Sequence, residues 1–198
     1  MGDLFLDYDD DPVSVAKRLL GQRLVREIDG ARLAGTIVET EAYLGATDRA
    51  AHTFNGRRTP RNESMYLPGG HAYVYFVYGL HYCLNMVCGK QDEGVAVLIR
   101  ALEPAEGVDR MKRYRPAARS TRELCAGPAR LTRALGIDRN LDGHDLRLGR
   151  WLFVEQATTG EPAANRIRKT PRIGVDYAGP WSRRLLRFCI RDHPCVSR

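Results

Sequence analysis

Asp29-Gly30 separates two strand-like runs, residues 22–28 and 34–43, and an Asp-Gly pair in that setting folds the chain back on itself as a hairpin. Its second run is Ile37-Val38-Glu39-Thr40-Glu41-Ala42-Tyr43, where two carboxylates and an aromatic follow an apolar pair. Side chains at i and i+2 of a strand share a face. Glu41 and Tyr43 therefore point the same way, with Glu39 on that face too. A carboxylate beside a flat aromatic suits acid/base work on a planar ring held by stacking. An edge strand with solvated glutamates has the same pattern.

The other elements frame this hairpin. A helix is expected from Asp11, which can cap it, through Pro12 at its first position to Gly21 as its end. Residues 45–70 are a long polar stretch containing Arg57, Arg58 and Arg61, and a loop of that length in a domain of this size is usually functional or disordered. The runs 72–79 and 80–87 read as two strands with a tip near Tyr78-Gly79, and with tyrosines at 73, 75 and 78. Residues 95–102 form another apolar strand, carrying Arg100. The middle third is helical and basic, with a helix opened by Gly127-Pro128 and stopped at Gly136. Residues 158–171 read as loop, and the last strands as 172–175 and 185–190.

At 198 residues the chain suits a single domain, 1–198, with one core. Its net charge of +7 favours phosphate-bearing partners, usually nucleic acid. Nine of its aromatics are tyrosine, apolar in the ring and polar at the tip. Five cysteines, with no Cys-x-x-Cys and no zinc-finger spacing, read as free and mostly buried thiols in a reducing compartment. The N-terminus lacks the basic and apolar regions of a signal peptide, and no apolar run reaches the length of a membrane span. A cytoplasmic protein is expected, nucleoid-associated if bacterial. Dinucleotide and P-loop glycine motifs, His-Glu-x-x-His, Gly-x-Ser-x-Gly and the zinc deaminase signature are all missing from the sequence. The chemistry falls to ordinary side chains and water.

Several runs in order carry a resemblance: Glu39-Thr40-Glu41-Ala42-Tyr43-Leu44-Gly45, Ala50-Ala51-His52, Thr59-Pro60-Arg61-Asn62, Tyr73-Val74-Tyr75-Phe76-Val77-Tyr78-Gly79, Asn85, Leu98-Ile99-Arg100-Ala101-Leu102-Glu103-Pro104, Glu123-Leu124-Cys125-Ala126-Gly127-Pro128, Arg172-Ile173-Gly174-Val175 and Trp181. Together they resemble the alkyladenine DNA glycosylase family (3-methyladenine DNA glycosylases of the non-helix-hairpin-helix type) over nearly the whole chain. The resemblance implies a mixed α/β (α+β) fold, with a curved, partly barrel-like antiparallel sheet, flanking helices and a protruding hairpin. It also implies removal of alkylated or deaminated purines from duplex DNA by hydrolysis of the N-glycosidic bond, with no metal or organic cofactor.

Site residues follow from the same resemblance. Glu41 matches the general base, Arg100 helps to hold the attacking water, and the backbone carbonyl of Ile173 supplies a third contact. Tyr43 matches one stacking face for the flipped base, and His52 and Tyr75 the other. Asn85 matches a pocket-floor residue that clashes with the 2-amino group of guanine. Tyr78 matches the wedge that fills the gap from the minor groove. Glu39 receives no direct chemical role. Arg57, Arg58 and Arg61 are candidates for contacts to the DNA backbone, and a monomer is expected. A non-catalytic lesion- or single-strand-binding module is the alternative, and would need the tyrosines and arginines but not Glu41 with Arg100. An RNA-directed protein and a basic structural protein are the further rivals.

Overall fold

The computed structural model describes residues 7–77, 79–157 and 162–197. Helix α1 spans Pro12–Arg18. The Asp11 carboxylate accepts from the amides of Val13 (2.8 Å) and Ser14 (3.2 Å), which satisfies donors that a helix start leaves free. Strands β1 (Arg23–Ile28) and β2 (Ala31–Tyr43) pair antiparallel across Asp29 and Gly30. Both turn residues have positive φ, 48° and 69°, the geometry of a two-residue turn whose twist matches its strands.

Strand β2 continues far past β1, and β5 (Val95–Glu106) follows it from Ala34 to Tyr43. The register between them shifts near Gly35 and again around Val38. Bulges of this kind bend and twist a strand, and here they help to curl the sheet into a half-barrel. The irregularity at Val38 also reverses the strand's parity. Ile37 lies in the main core, while Val38 packs on Ala101 and Cys195 outside it. Past the bulge, Ala42 is in the core and the Thr40 hydroxyl bonds the Ala16 carbonyl of α1 (2.8 Å). Glu39, Glu41 and Tyr43 are thereby turned to the opposite face.

The remaining strands complete one antiparallel sheet. β3 (Ala72–Val77) and β4 (His81–Cys88) form the second hairpin, with Tyr73 opposite Asn85 and Tyr75 opposite Cys83. β4 pairs with β5 and β6 (Leu152–Glu155) with β1, while β8 (Arg187–Ile190) joins β7 (Ile167–Thr170) to Glu39–Glu41 of β2. Helix α2 covers Val108–Tyr114 and α3 covers Pro128–Leu135, ending at Gly136 with φ 62°. The main core joins the inner sheet face to α1 and α3 through Leu19, Leu84, Ile99, Leu131 and Phe188.

Two expectations are corrected. Residues 172–175 are not a strand but a loop containing Gly174 at φ 76°, because Arg172 is drawn inward by a buried ion pair. The strand lies instead at Ile167–Thr170, inside the stretch read as loop, and gains its order from pairing with β8. The five cysteines are free and buried. Among the described residues no helix is long and apolar enough to cross a membrane.

Candidate active site

The outer face of β2 and the sheet around it border a cavity of about 390 Å³. β2 supplies Tyr43, β3 Tyr73 and Tyr75, β4 Asn85, and β5 Arg100. The polar stretch between β2 and β3 brings in His52 and Arg61, and the loop after β7 brings in Ile173. Seven of the residues expected at the site, Tyr43, His52, Arg61, Tyr75, Asn85, Arg100 and Ile173, thus meet at one cavity.

Glu41 sits behind the cavity wall with no solvent exposure, so it is not a solvated edge glutamate. Three donors converge on its carboxylate. The Ile173 amide donates to Oε1 (2.8 Å), Arg100 Nη1 lies 3.2 Å from the same oxygen, and the Tyr43 hydroxyl donates to Oε2 (2.9 Å). Burial pushes the Glu41 carboxyl up, against the pull of Arg100, the Ile173 amide and the Tyr43 hydroxyl, and the neighbouring Glu39 adds to the rise. A carboxylate held in place by three donors, with its proton affinity raised by burial, is suited to accept a proton from a neighbouring water.

The aromatic wall has its own order. The rings of Tyr73 and Tyr75 stack, with centroids 5.2 Å apart, and His52 meets Tyr75 edge-on at 4.7 Å. His52 Nδ1 lies 2.8 Å from the Tyr73 hydroxyl. Burial, with Arg61 and Arg57 adding to it, lowers the His52 pKa to about 4, so the ring is neutral at pH 7. The Asn85 side-chain amide donates to the Tyr73 carbonyl (3.1 Å), which fixes it at the cavity wall.

The three arginines of the polar loop differ. Arg61 borders the cavity and donates to the Phe76 carbonyl (2.9 Å). Arg57 lines an adjoining cleft of about 260 Å³. Arg58 touches neither space and pairs with Glu63 and Asp92, each at 2.6 Å. Tyr78 lies outside the described residues.

Other residues build the site without having been assigned to it from sequence. The Asp48 carboxylate grips Arg172 at 2.5 and 2.8 Å, with both side chains fully buried. Asp48 also accepts from the amides of Leu44 and Ala50, while Arg172 stacks 4.7 Å from the Tyr43 ring and donates to the Ala42 carbonyl. The pair therefore fixes Tyr43 and Ile173 together. Asn62 bolts the arginine loop down by donating to the carbonyls of His52 (3.0 Å) and Arg57 (2.8 Å). Arg172 and Asn62 lie in motifs quoted above. Asp48 carries no signal in the sequence, since its partner is 124 residues away.

The sequence pattern of the methylpurine-DNA glycosylase (MPG) family matches residues 6–194. The DNA-3-methyladenine glycosylase of Homo sapiens is 43% identical over 204 residues, covering 98% of this chain and 67% of that protein. The Mus musculus protein of the same name is 42% identical, and the chain spans 59% of its length. A provisionally named 3-methyladenine DNA glycosylase of Carboxydothermus hydrogenoformans is 52% identical over 192 residues, covering 96% of each chain. The chain belongs to the methylpurine-DNA glycosylase family, and is thus an enzyme of the DNA glycosylase class.

Proposed function

We propose that this chain is a monofunctional base-excision-repair glycosylase. It flips alkylated or deaminated purines (3-methyladenine, 7-methylguanine, hypoxanthine, ethenoadenine) out of duplex DNA and leaves an abasic site. The observation that carries this reading is the fully buried Glu41, held by Arg100, Tyr43 and the Ile173 amide behind a cavity lined with aromatic side chains.

In the reaction, a water lies between Glu41, Arg100 and the Ile173 carbonyl. Its oxygen bonds to the anomeric carbon as the bond from that carbon to the purine nitrogen breaks. The bonding pair leaves with the purine, and the water's proton passes to Glu41. Cationic 3-methyladenine and 7-methylguanine leave without help, whereas hypoxanthine and ethenoadenine need a proton on the departing base. Tyr43 offers one stacking face, and His52 with Tyr75 the other. Stacking of about 1–3 kcal/mol per base offsets the few kcal/mol of flipping. Asn85, anchored on the Tyr73 carbonyl, disfavours the 2-amino group of guanine by steric conflict, so a guanine is released only where 7-methylation has already weakened its glycosidic bond.

Approach is from the minor groove, with Tyr78 filling the vacated space, and the basic surface attracts the phosphate backbone. The protein acts as a monomer in the cytoplasm, at the nucleoid if bacterial. Among the described residues no lysine borders the cavity. Water is therefore the nucleophile, and the strand stays intact.

The test is purified protein on a duplex bearing one hypoxanthine and on another bearing one 7-methylguanine. The expected result is an abasic site that breaks only on treatment with alkali. A strand break without alkali would contradict the monofunctional reading, and intact base in both duplexes would contradict catalysis itself.

A further inference from the structure

Glu39 is as deeply buried as Glu41 and has no part in the reaction as described. Its oxygens carry four donors. Oε1 accepts from Arg100 Nε (2.8 Å), Arg187 Nε (2.6 Å) and the Ser197 hydroxyl (2.9 Å), and Oε2 accepts from the Ser197 amide (2.7 Å). Arg187 Nη2 also donates to the Ser197 carbonyl (3.1 Å), so β8 and the 195–197 segment close around this carboxylate. Such a cluster is costly to bury unless each charge is paired. Here two carboxylates, Glu39 and Glu41, meet two guanidiniums, Arg100 and Arg187.

The geometry assigns Glu39 as a positioning residue for excision: it holds Arg100 by Nε, presents the Nη edge to Glu41 and the cavity, and is itself held by Arg187 and Ser197. The assignment rests on the reading of Glu41 as the base. A guanidinium is a rigid planar fork, so fixing Nε fixes where the Nη atoms point. Without that grip, Arg100 would be free to close two-pronged onto Glu41 and cover the oxygens that receive the water's proton.

Charge follows the same geometry. Glu41 faces Arg100 from β5, Glu39 and Tyr43 from its own strand, Tyr75 from β3, Cys83 from β4 and Arg172 from the loop after β7. Arg187 of β8 lies opposite Glu41 in the strand register. Of these groups, Glu39 is the carboxylate whose charge raises Glu41. Neutralising Glu39 therefore lowers the pH at which Glu41 becomes a base.

The experiment compares wild type, Glu39→Gln and Glu39→Asp by single-turnover release of 7-methylguanine across pH, alongside lesion-DNA affinity and thermal melting. That lesion needs no protonation to leave, so the acid limb reports the base. Glu39→Gln is expected to bind lesion DNA as wild type does, to slow release about 10- to 100-fold, and to move the acid limb to lower pH. Glu39→Asp, which keeps the charge but withdraws the oxygens, is expected to slow release while leaving the acid limb in place. Folded variants that release base at the wild-type rate with the wild-type limb would overturn the assignment. So would slowing that only follows loss of folded protein. If Glu39→Gln does not fold, Glu39→Asp decides alone, since unchanged release at unchanged affinity would refute positioning. A wild type that releases nothing would overturn the functional reading itself, a result distinct from active wild type with unaffected variants.

Discussion

His52 illustrates how a single residue's surroundings set both its role and its cost. Its ring packs edge-on against both Tyr73 and Tyr75, with Arg57 and Arg61 nearby, and burial with those charges lowers its pKa to about 4. The unfolded chain binds this proton near pH 6.5, so between about 6.5 and 4 the unfolded state holds more protons than the folded one. Stability from this residue is therefore full above about pH 6.5 and is lost as pH falls toward 4. Wild type is expected to lose more stability than His52→Gln between pH 7.5 and pH 5, measured by thermal melting. Equal losses would contradict a neutral buried ring. The sequence made the pairing of Glu41 with Tyr43 legible because both lie within one strand, two residues apart. It could not make the partners of Glu39 legible, because Ser197 lies 158 residues away and meets it only in the folded sheet.

At the scale of elements, the site depends on loops tied to strands. Asp48 and Arg172 join the turn after β2 to the loop after β7, and breaking a buried pair of this kind costs about 3–5 kcal/mol. Asp48→Asn is expected to lower the melting temperature by roughly 10 °C and to slow excision by releasing the segment that carries Ile173. Differential scanning calorimetry with a single-turnover assay checks both, and a variant with wild-type melting would contradict the structural claim. The first hairpin, the capped first helix and the helix from Pro128 were legible because turn and cap chemistry is local. The bulge at Val38 was not: nothing in Ile37-Val38-Glu39 distinguishes a regular strand from one that changes face. Strand β7 was missed for a related reason, since Arg168 and Lys169 face outward and its order comes from β8.

Across the whole molecule, the net charge of +7 draws DNA to the protein, but its arginines are not equivalent. Arg58 already faces two carboxylates, whereas Arg57 borders the cleft beside the cavity, with Arg49 and Arg61 also lining that cleft. Each phosphate contact contributes about 0.9 to the slope of log affinity against log salt. Arg57→Ala is expected to reduce that slope by about 0.9, and Arg58→Ala to leave it near wild type, in titrations of lesion duplex at several salt concentrations. Equal slopes for the two variants would contradict this division. The curled sheet then gives the charge its purpose. Its inner face is filled by the core, and its other face carries Arg100 into the wall of the cavity of about 390 Å³, with Glu41 buried behind that wall.

The most direct test of this account is Glu41→Gln on duplexes carrying a single hypoxanthine or 7-methylguanine, with binding and single-turnover release followed in parallel. The variant is expected to bind lesion DNA as wild type does and to form abasic sites about 10²- to 10⁴-fold more slowly. Release at the wild-type rate by Glu41→Gln would contradict Glu41 as the base and, with it, the mechanism built on this site.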